Sequence, residues 1–193
     1  MGAIVRFDVW LFHIINGTLS AVWLDPFMLF VTEKFNFTGA IVAAMALVLI
    51  LGKRKDRMGL VVLVLTVLVA DLLCNQFKHL IMRVRPCNAL DYARLVAGCR
   101  SSFSLPSGHA TNIFAAMVFL SMRYGRFKPL FLAIAFAVAY SRVYVGVHYP
   151  IDITVGAMLG TIVALCFARL EKFAVAEYTR RREKNRVVVD DIE

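Results

Sequence analysis

The stretch that decides the architecture is MGLVVLVLTVLVADLLCNQFKHLIM, residues 58–82. A helix that crosses a bilayer needs about 20 mostly apolar residues, and this run supplies them with Asp71 as its only acid and Lys78 as its only formal cation. Four further apolar runs accompany it, at 36–51, 108–122, 129–147 and 150–170. The 193-residue chain is 60% hydrophobic and only 18% charged, with mean hydropathy +0.72, and so carries more apolar surface than one soluble core hides. The fold class this implies is an all-α integral membrane protein, a bundle of five or six transmembrane helices.

Residues 4–34 are interrupted by Arg6, Asp8, Asp25, Pro26, Glu33 and Lys34. They read as an N-terminal interfacial helical segment or a short sixth span. Arg6 and Asp8 break any signal-peptide core, so the first span is expected to serve as the targeting signal. One membrane-embedded domain over 1–193 follows: interfacial helices at 1–35, a bundle at 36–170 and a basic cytoplasmic tail at 171–193.

Lysine and arginine set the expected orientation. Lys53, Arg54, Lys55 and Arg57 fall between the first two spans, Arg123, Arg126 and Lys128 between the third and fourth, and six more cations between 172 and 186. By the positive-inside rule those places are cytoplasmic. The opposite face then holds loop 83–107, junction 147–150 and the N-terminal region. Its arginines Arg83, Arg85, Arg94 and Arg100 sit where the rule disfavours them. They either meet an anionic substrate or serve structurally, gripping headgroups or pairing with Asp91.

Three segments converge on that face. Lys78 and Arg85 are seven residues apart, two helical turns, so both can point at one spot. Pro106, Ser107, Gly108 and His109 open the third span, where Ser107 suits an N-cap and unpaired N–H groups with the helix dipole favour an anion. Ser141, Arg142, His148 and Asp152 lie at the junction of the last two spans. Lys78, Arg85 and Arg142 can neutralise phosphate oxygens. Asp152, in the turn after Pro150, can orient the imidazole of His148 as a nucleophile, leaving His109 as proton donor and acceptor.

The set Lys78-x6-Arg85-Pro86, Pro106-Ser107-Gly108-His109 and Ser141-Arg142-x5-His148-x3-Asp152 resembles the three-part signature of the type 2 phosphatidic acid phosphatase family. The resemblance covers residues 78–152, departs at no signature position and implies a metal-independent lipid phosphate phosphatase. It implies His148, His109 and Asp152 as catalytic, and Lys78, Arg85, Ser107, Gly108 and Arg142 as phosphate ligands. No metal and no cofactor are expected, since Asp91 and Asp152 are the only acids between 78 and 152.

Lesser features are weighed beside this. Cys87 and Cys99 are expected to form a disulfide in an oxidising compartment, with two free thiols as the alternative. Asp71 is either functional or hydrogen-bonded to a neighbouring helix. Gly156 and Gly160 read as close packing within one chain. His13 reads as interfacial without chemistry, and Trp10 and Trp23 as a headgroup-level belt.

The partners expected are the bilayer and a lipid substrate, with no nucleic acid, for a monomer in a bacterial inner membrane whose site faces the periplasm. Undecaprenyl diphosphate and lipid A 1-phosphate rank level as substrates, because Arg83, Arg94 and Arg100 suit a second anionic group. A phosphatidylglycerol phosphate phosphatase or a lipid phosphotransferase using the same site are the alternatives.

Overall fold

The computed structural model describes residues 2–190, and all its regular elements are helices. Helix α1 (Ala3–His13) runs through a π-helical turn, Ile14–Thr18, and a short 3-10 turn, Val22–Leu24, into α2 (Asp25–Thr32). The two halves of this segment meet at 89°. Next come α3 (Phe35–Leu51), α4 (Arg54–Ile81), the short α5 (Pro86–Ala89), α6 (Gly108–Arg123), α7 (Lys128–Tyr144) and α8 (Pro150–Asp190). The tail expected at 171–193 continues α8, and Asp191, Ile192 and Glu193 lie outside the described residues.

Three helical stretches are long and apolar enough to cross a membrane: Arg54–Ala89, Gly125–Tyr144 and Pro150–Arg181, with the bent N-terminal pair as a broken span or a re-entrant loop. Helices α3 and α6, read from the sequence as spans, have 17 and 16 residues. At 1.5 Å per residue each covers about 25 Å, just short of the hydrocarbon core. Extended Gly52 stops α3, and α6 starts at Gly108, so both helices match the apolar runs at 36–51 and 108–122 to within a residue at each end.

Helix α6 is the centre of the bundle and packs against α4, α7 and α8. Small residues share its packing clusters with the phenylalanines Phe114 and Phe119: Ala110 lies with Ala135 and Ala139 of α7, and Ala115 with Ala70 of α4 and Val163 of α8. Small side chains let helices approach closely where lipid gives no hydrophobic drive to associate. Leu68, Leu72 and Leu80 of α4, Phe136 of α7 and Ile162 of α8 face outward, as lipid-facing residues should.

The two glycines of α8 mark its closest approach to α6. A Cβ at Gly156 would lie 2.7 Å from the carbonyl oxygen of Ser107, and one at Gly160 only 2.2 Å from that of Thr111. The motif thus serves packing within the chain. Because a backbone carbonyl cannot swing aside, Gly160→Leu is expected to cost about 3 kcal/mol or more, seen as a lowered unfolding temperature in detergent. A melting curve matching that of the wild type would overturn this.

Asp71 behaves as the second of its two readings. It accepts hydrogen bonds from Asn112 of α6 (2.8 Å) and Asn75 (3.1 Å), tying α4 to α6. At the far end of the bundle Arg123 pairs with Glu171, with Asp56 3.8 Å away. The near end collects the C-termini of α4 and α7, the N-termini of α6 and α8, and the bent N-terminal segment.

Candidate active site

Four helix ends deliver the side chains. Met82 adopts a left-handed conformation (φ 52°) and stops α4, with its N–H on the Lys78 carbonyl at 3.0 Å. The chain then turns back over the bundle, carrying Arg83 and Arg85. Between α7 and α8 the five-residue junction 145–149 turns at Gly146, whose φ of +85° favours glycine. A Cβ there would meet the Arg94 carbonyl oxygen at 2.5 Å, so glycine also lets the loop lie against the junction.

A strap formed by Ser102, Phe103 and Ser104 organises the cations. Lys78 Nζ donates to the Phe103 carbonyl at 3.0 Å. Arg85 donates to that carbonyl (3.5 Å), to the Ser102 carbonyl (2.6 Å), to Ser102 Oγ (3.0 Å) and to the Val147 carbonyl (3.1 Å). Both cations are buried. Lys78 and Arg85, two turns apart in sequence, therefore meet on one peptide group.

The remaining contact of Arg85 fixes the chemistry of His148. Arg85 Nη1 lies 3.2 Å from His148 Nε2. A guanidinium only donates, so Nε2 accepts and carries a lone pair. The imidazole proton is therefore on Nδ1, which faces Ser104 Oγ at 3.3 Å and Asp152 Oδ2 at 3.5 Å. Asp152 Oδ2 also accepts from Ser104 Oγ and from the Tyr149 N–H (2.9 Å), and Oδ1 accepts from Arg83 (2.7 Å). Burial pushes the pKa of His148 down to about 4; the Asp152 contact opposes that shift, and Arg85 and Arg142 add to it. The ring is neutral at pH 7.

Two buried polar atoms beside this network, Ser107 Oγ and Arg142 Nε, lack partners among the described residues. Such atoms are uncommon enough to call for an explanation, and a ligand is one. Arg142 is held through Nη1 by Thr32 Oγ1 at 2.6 Å. A Cβ built on Gly108 would meet nothing nearer than Cys74 Sγ at 3.9 Å, so the start of α6 has room above it. The N–H groups of Gly108 and His109 have no intrahelical acceptor, as in the first turn of any helix. Together these donors line a place suited to a phosphoryl group.

A 290 Å³ cavity opens over His109 and Arg142, walled by Thr32, Glu33, Cys99 and Arg100. Next to it, sharing Thr32, Glu33, Ala97 and Gly98, is a more open, largely apolar groove of 540 Å³ that includes Pro26, Leu29 and Phe30. The disulfide expected between Cys87 and Cys99 is present, with Cα atoms 6.2 Å apart, and it ties loop 90–98 beside Arg100.

The structure brings Lys78, Arg85, His148 and Asp152 into one network, leaves Ser107 Oγ and Arg142 Nε buried without a hydrogen-bond partner among the described residues, and sets His109 and Arg142 on the cavity wall. It also revises three expectations. Ser107 occupies the N-cap position, but its hydroxyl caps nothing. Arg83 is bound to Asp8 (2.5 Å) and Asp152, and Arg94 to Asp25 (2.9 Å), so neither reaches for a second anion and neither pairs with Asp91. Of the three extra arginines, Arg100 alone lines the cavity. His79 sits apart, edge-on to Phe103, and His13 is edge-on to Tyr92.

Sequence reasoning missed Ser102, Ser104 and Thr32, which carry no local pattern. It read Asp8 only as a charge. An acid that recurs on the apolar face of a membrane-associated helix is a functional suspect by default, and that signal was present.

Fold and site define a multi-pass membrane protein with a buried, cation-lined cluster around an imidazole at one end of its bundle. Residues 59–175 match the PAP2 superfamily model, and the chain belongs to that family. It is 32% identical to an undecaprenyl-diphosphatase of Sulfolobus acidocaldarius over 86% of this chain and 80% of that one. A lipid A 4'-phosphatase of Bacteroides thetaiotaomicron is 34% identical, over 79% of this chain and 72% of the relative. The crystal structure of a transmembrane PAP2-type phosphatidylglycerolphosphate phosphatase from Bacillus subtilis superposes with a TM-score of 0.71 at 26% identity, over 89% of this chain and 88% of that one. The protein is a membrane lipid phosphatase.

Proposed function

We propose that the enzyme removes a phosphoryl group from a lipid diphosphate or a phosphorylated glycolipid through a phosphohistidine on His148. The observation that carries this reading is the lone pair of Nε2, held by Arg85 beside the unpartnered Ser107 hydroxyl and Arg142 Nε. Attack by Nε2 on phosphorus breaks the bond to the lipid oxygen, which takes a proton from His109. Water then donates its proton to His109 and attacks phosphorus, releasing phosphate and free His148. Lys78, Arg85, Arg142 and the first turn of α6 stabilise the charge on the transferring group.

The apolar groove beside the polar cavity suits an amphiphile whose tail stays in the bilayer. Arg100 gives a second anionic group a partner, which keeps undecaprenyl diphosphate and lipid A 1-phosphate as the two favoured substrates. Arg54, Arg123 and Lys128 lie at the opposite end of the bundle, and the disulfide lies at the site end, so the site is assigned to the outer face of a bacterial inner membrane.

The test is phosphate release by purified protein from undecaprenyl diphosphate, lipid A and phosphatidylglycerol phosphate, with a chelator present throughout. We expect turnover on the first two to survive the chelator. Loss of activity in chelator would overturn the metal-independent mechanism, and a phosphorylated alcohol in place of free phosphate would make the enzyme a phosphotransferase.

A further inference from the structure

We propose that Arg83 and Asp8 are positioning residues of the phosphatase, clamping Asp152 from the side away from His148, so that the bent N-terminal segment is part of the catalytic apparatus. This rests on the phosphohistidine reading above.

Arg83 Nη1 donates to Asp152 Oδ1 at 2.7 Å and Arg83 Nη2 to Asp8 Oδ2 at 2.5 Å. Both carboxylates are fully buried, and the arginine is 19% exposed in its side chain. Its guanidinium lies 4.0 Å from the centre of the Tyr149 ring, which restricts it on a third side. Asp8 Oδ1 accepts the Ile151 N–H at 2.8 Å, at the start of α8. One carboxylate from α1 thus holds both the arginine and the turn that carries Asp152.

The consequence for His148 follows from the division of labour on Asp152. Oδ1 is taken by Arg83, leaving Oδ2 for Ser104, the Tyr149 N–H and the imidazole side. Without the clamp the carboxylate can rotate and drop Oδ2 from that arrangement, and His148 loses the partner that keeps its proton on Nδ1. The charged groups that face His148 are Arg85, Arg142 and Asp152. Loss of Arg83 also removes a cation from this buried cluster and leaves the Asp152 carboxylate uncompensated, so the imidazole holds a proton to higher pH although its hydrogen-bond geometry is lost.

The experiment uses full-length protein in detergent, with wild type and His148→Asn as the two bounds. Arg83→Ala is expected to lower kcat about 10²-fold while KM stays within about twofold, the loss typical of a misplaced group. Its acid limb should move toward neutral pH. Arg83→Lys should fall between, since a point charge cannot bridge two carboxylates. Asp8→Asn, which keeps the size, should lose about tenfold in kcat, as orienting partners do. A raised KM with unchanged kcat would make Arg83 a substrate contact and overturn the proposal. So would unchanged kinetics, or loss of folding in all three variants, which would make the network structural only. If Arg83→Ala alone fails to fold, Asp8→Asn decides by the same criteria. An inert wild type on every lipid would sink the underlying phosphatase reading, whereas an active wild type with unaffected variants sinks only the clamp.

Discussion

His148→Asn is expected to lower phosphate release by about 10⁴-fold or more, the scale of losing a nucleophile, with binding of substrate largely kept. Asparagine is the informative choice because His148 is buried, at 1% exposure, and alanine would leave a cavity whose cost confuses the result. Its side-chain oxygen can still accept from Arg85, so the cation stays in place while the nucleophilic nitrogen is gone. In the wild type the nitrogen is ready at neutral pH for two reasons. Arg85 can only donate, which leaves Nε2 unprotonated, and burial holds the ring pKa at about 4. The acid limb of kcat/KM should therefore lie near pH 4 and not at the ordinary imidazole value. The same shift works on stability. A histidine whose pKa is depressed on folding binds protons more tightly in the unfolded chain, so stability falls as pH drops from about 6.5 toward 4. Activity in His148→Asn within tenfold of wild type would remove His148 from the mechanism.

What the sequence made legible was whatever is encoded over short distances at helix ends. Lys78 and Arg85 do converge, though through the Phe103 carbonyl and not a shared helix face, because α4 ends at Ile81; His148 lies four residues before Asp152, and the motif at 106–109 marks a helix start. These reads needed only the positive-inside rule to bring them to one membrane face. Arg83 was misread because its partners are Asp8 and Asp152, 75 and 69 residues away, and no spacing rule reaches that far. The same holds for Thr32 on Arg142, 110 residues apart. Ser107 shows a different limit: its position as N-cap was correct, yet its buried hydroxyl makes no hydrogen bond to the helix. Hydropathy found the apolar helices and their bounds, 36–51 and 108–122 against Phe35–Leu51 and Gly108–Arg123, so the short length of α3 and α6 was already visible in the sequence.

Replacing His109 with glutamine should separate the two halves of the reaction. His109 lines the cavity with Arg142, in the first turn of α6, on the open side of the phosphoryl site, where a leaving oxygen or an incoming water has access. In the first half of the proposed reaction it gives a proton to the lipid oxygen, and that need is greatest for a monoester, whose alkoxide is a poor leaving group. In the second half it must take a proton from water, and this need does not depend on the lipid. With a lipid monophosphate the variant should lose about 10³-fold, within the range of general acid–base catalysis. With a lipid diphosphate the departing lipid phosphate leaves more readily, so the first step should persist while hydrolysis stalls. Label from a terminally radiolabelled diphosphate should then build up on His109→Gln as an acid-labile, base-stable bond, and should be absent from the double variant with His148→Asn. If the single variant turns over at the wild-type rate, His109 is not the acid and base. If it is slow but never labelled, water attacks the lipid phosphate directly, and the two histidines act on one step instead of two.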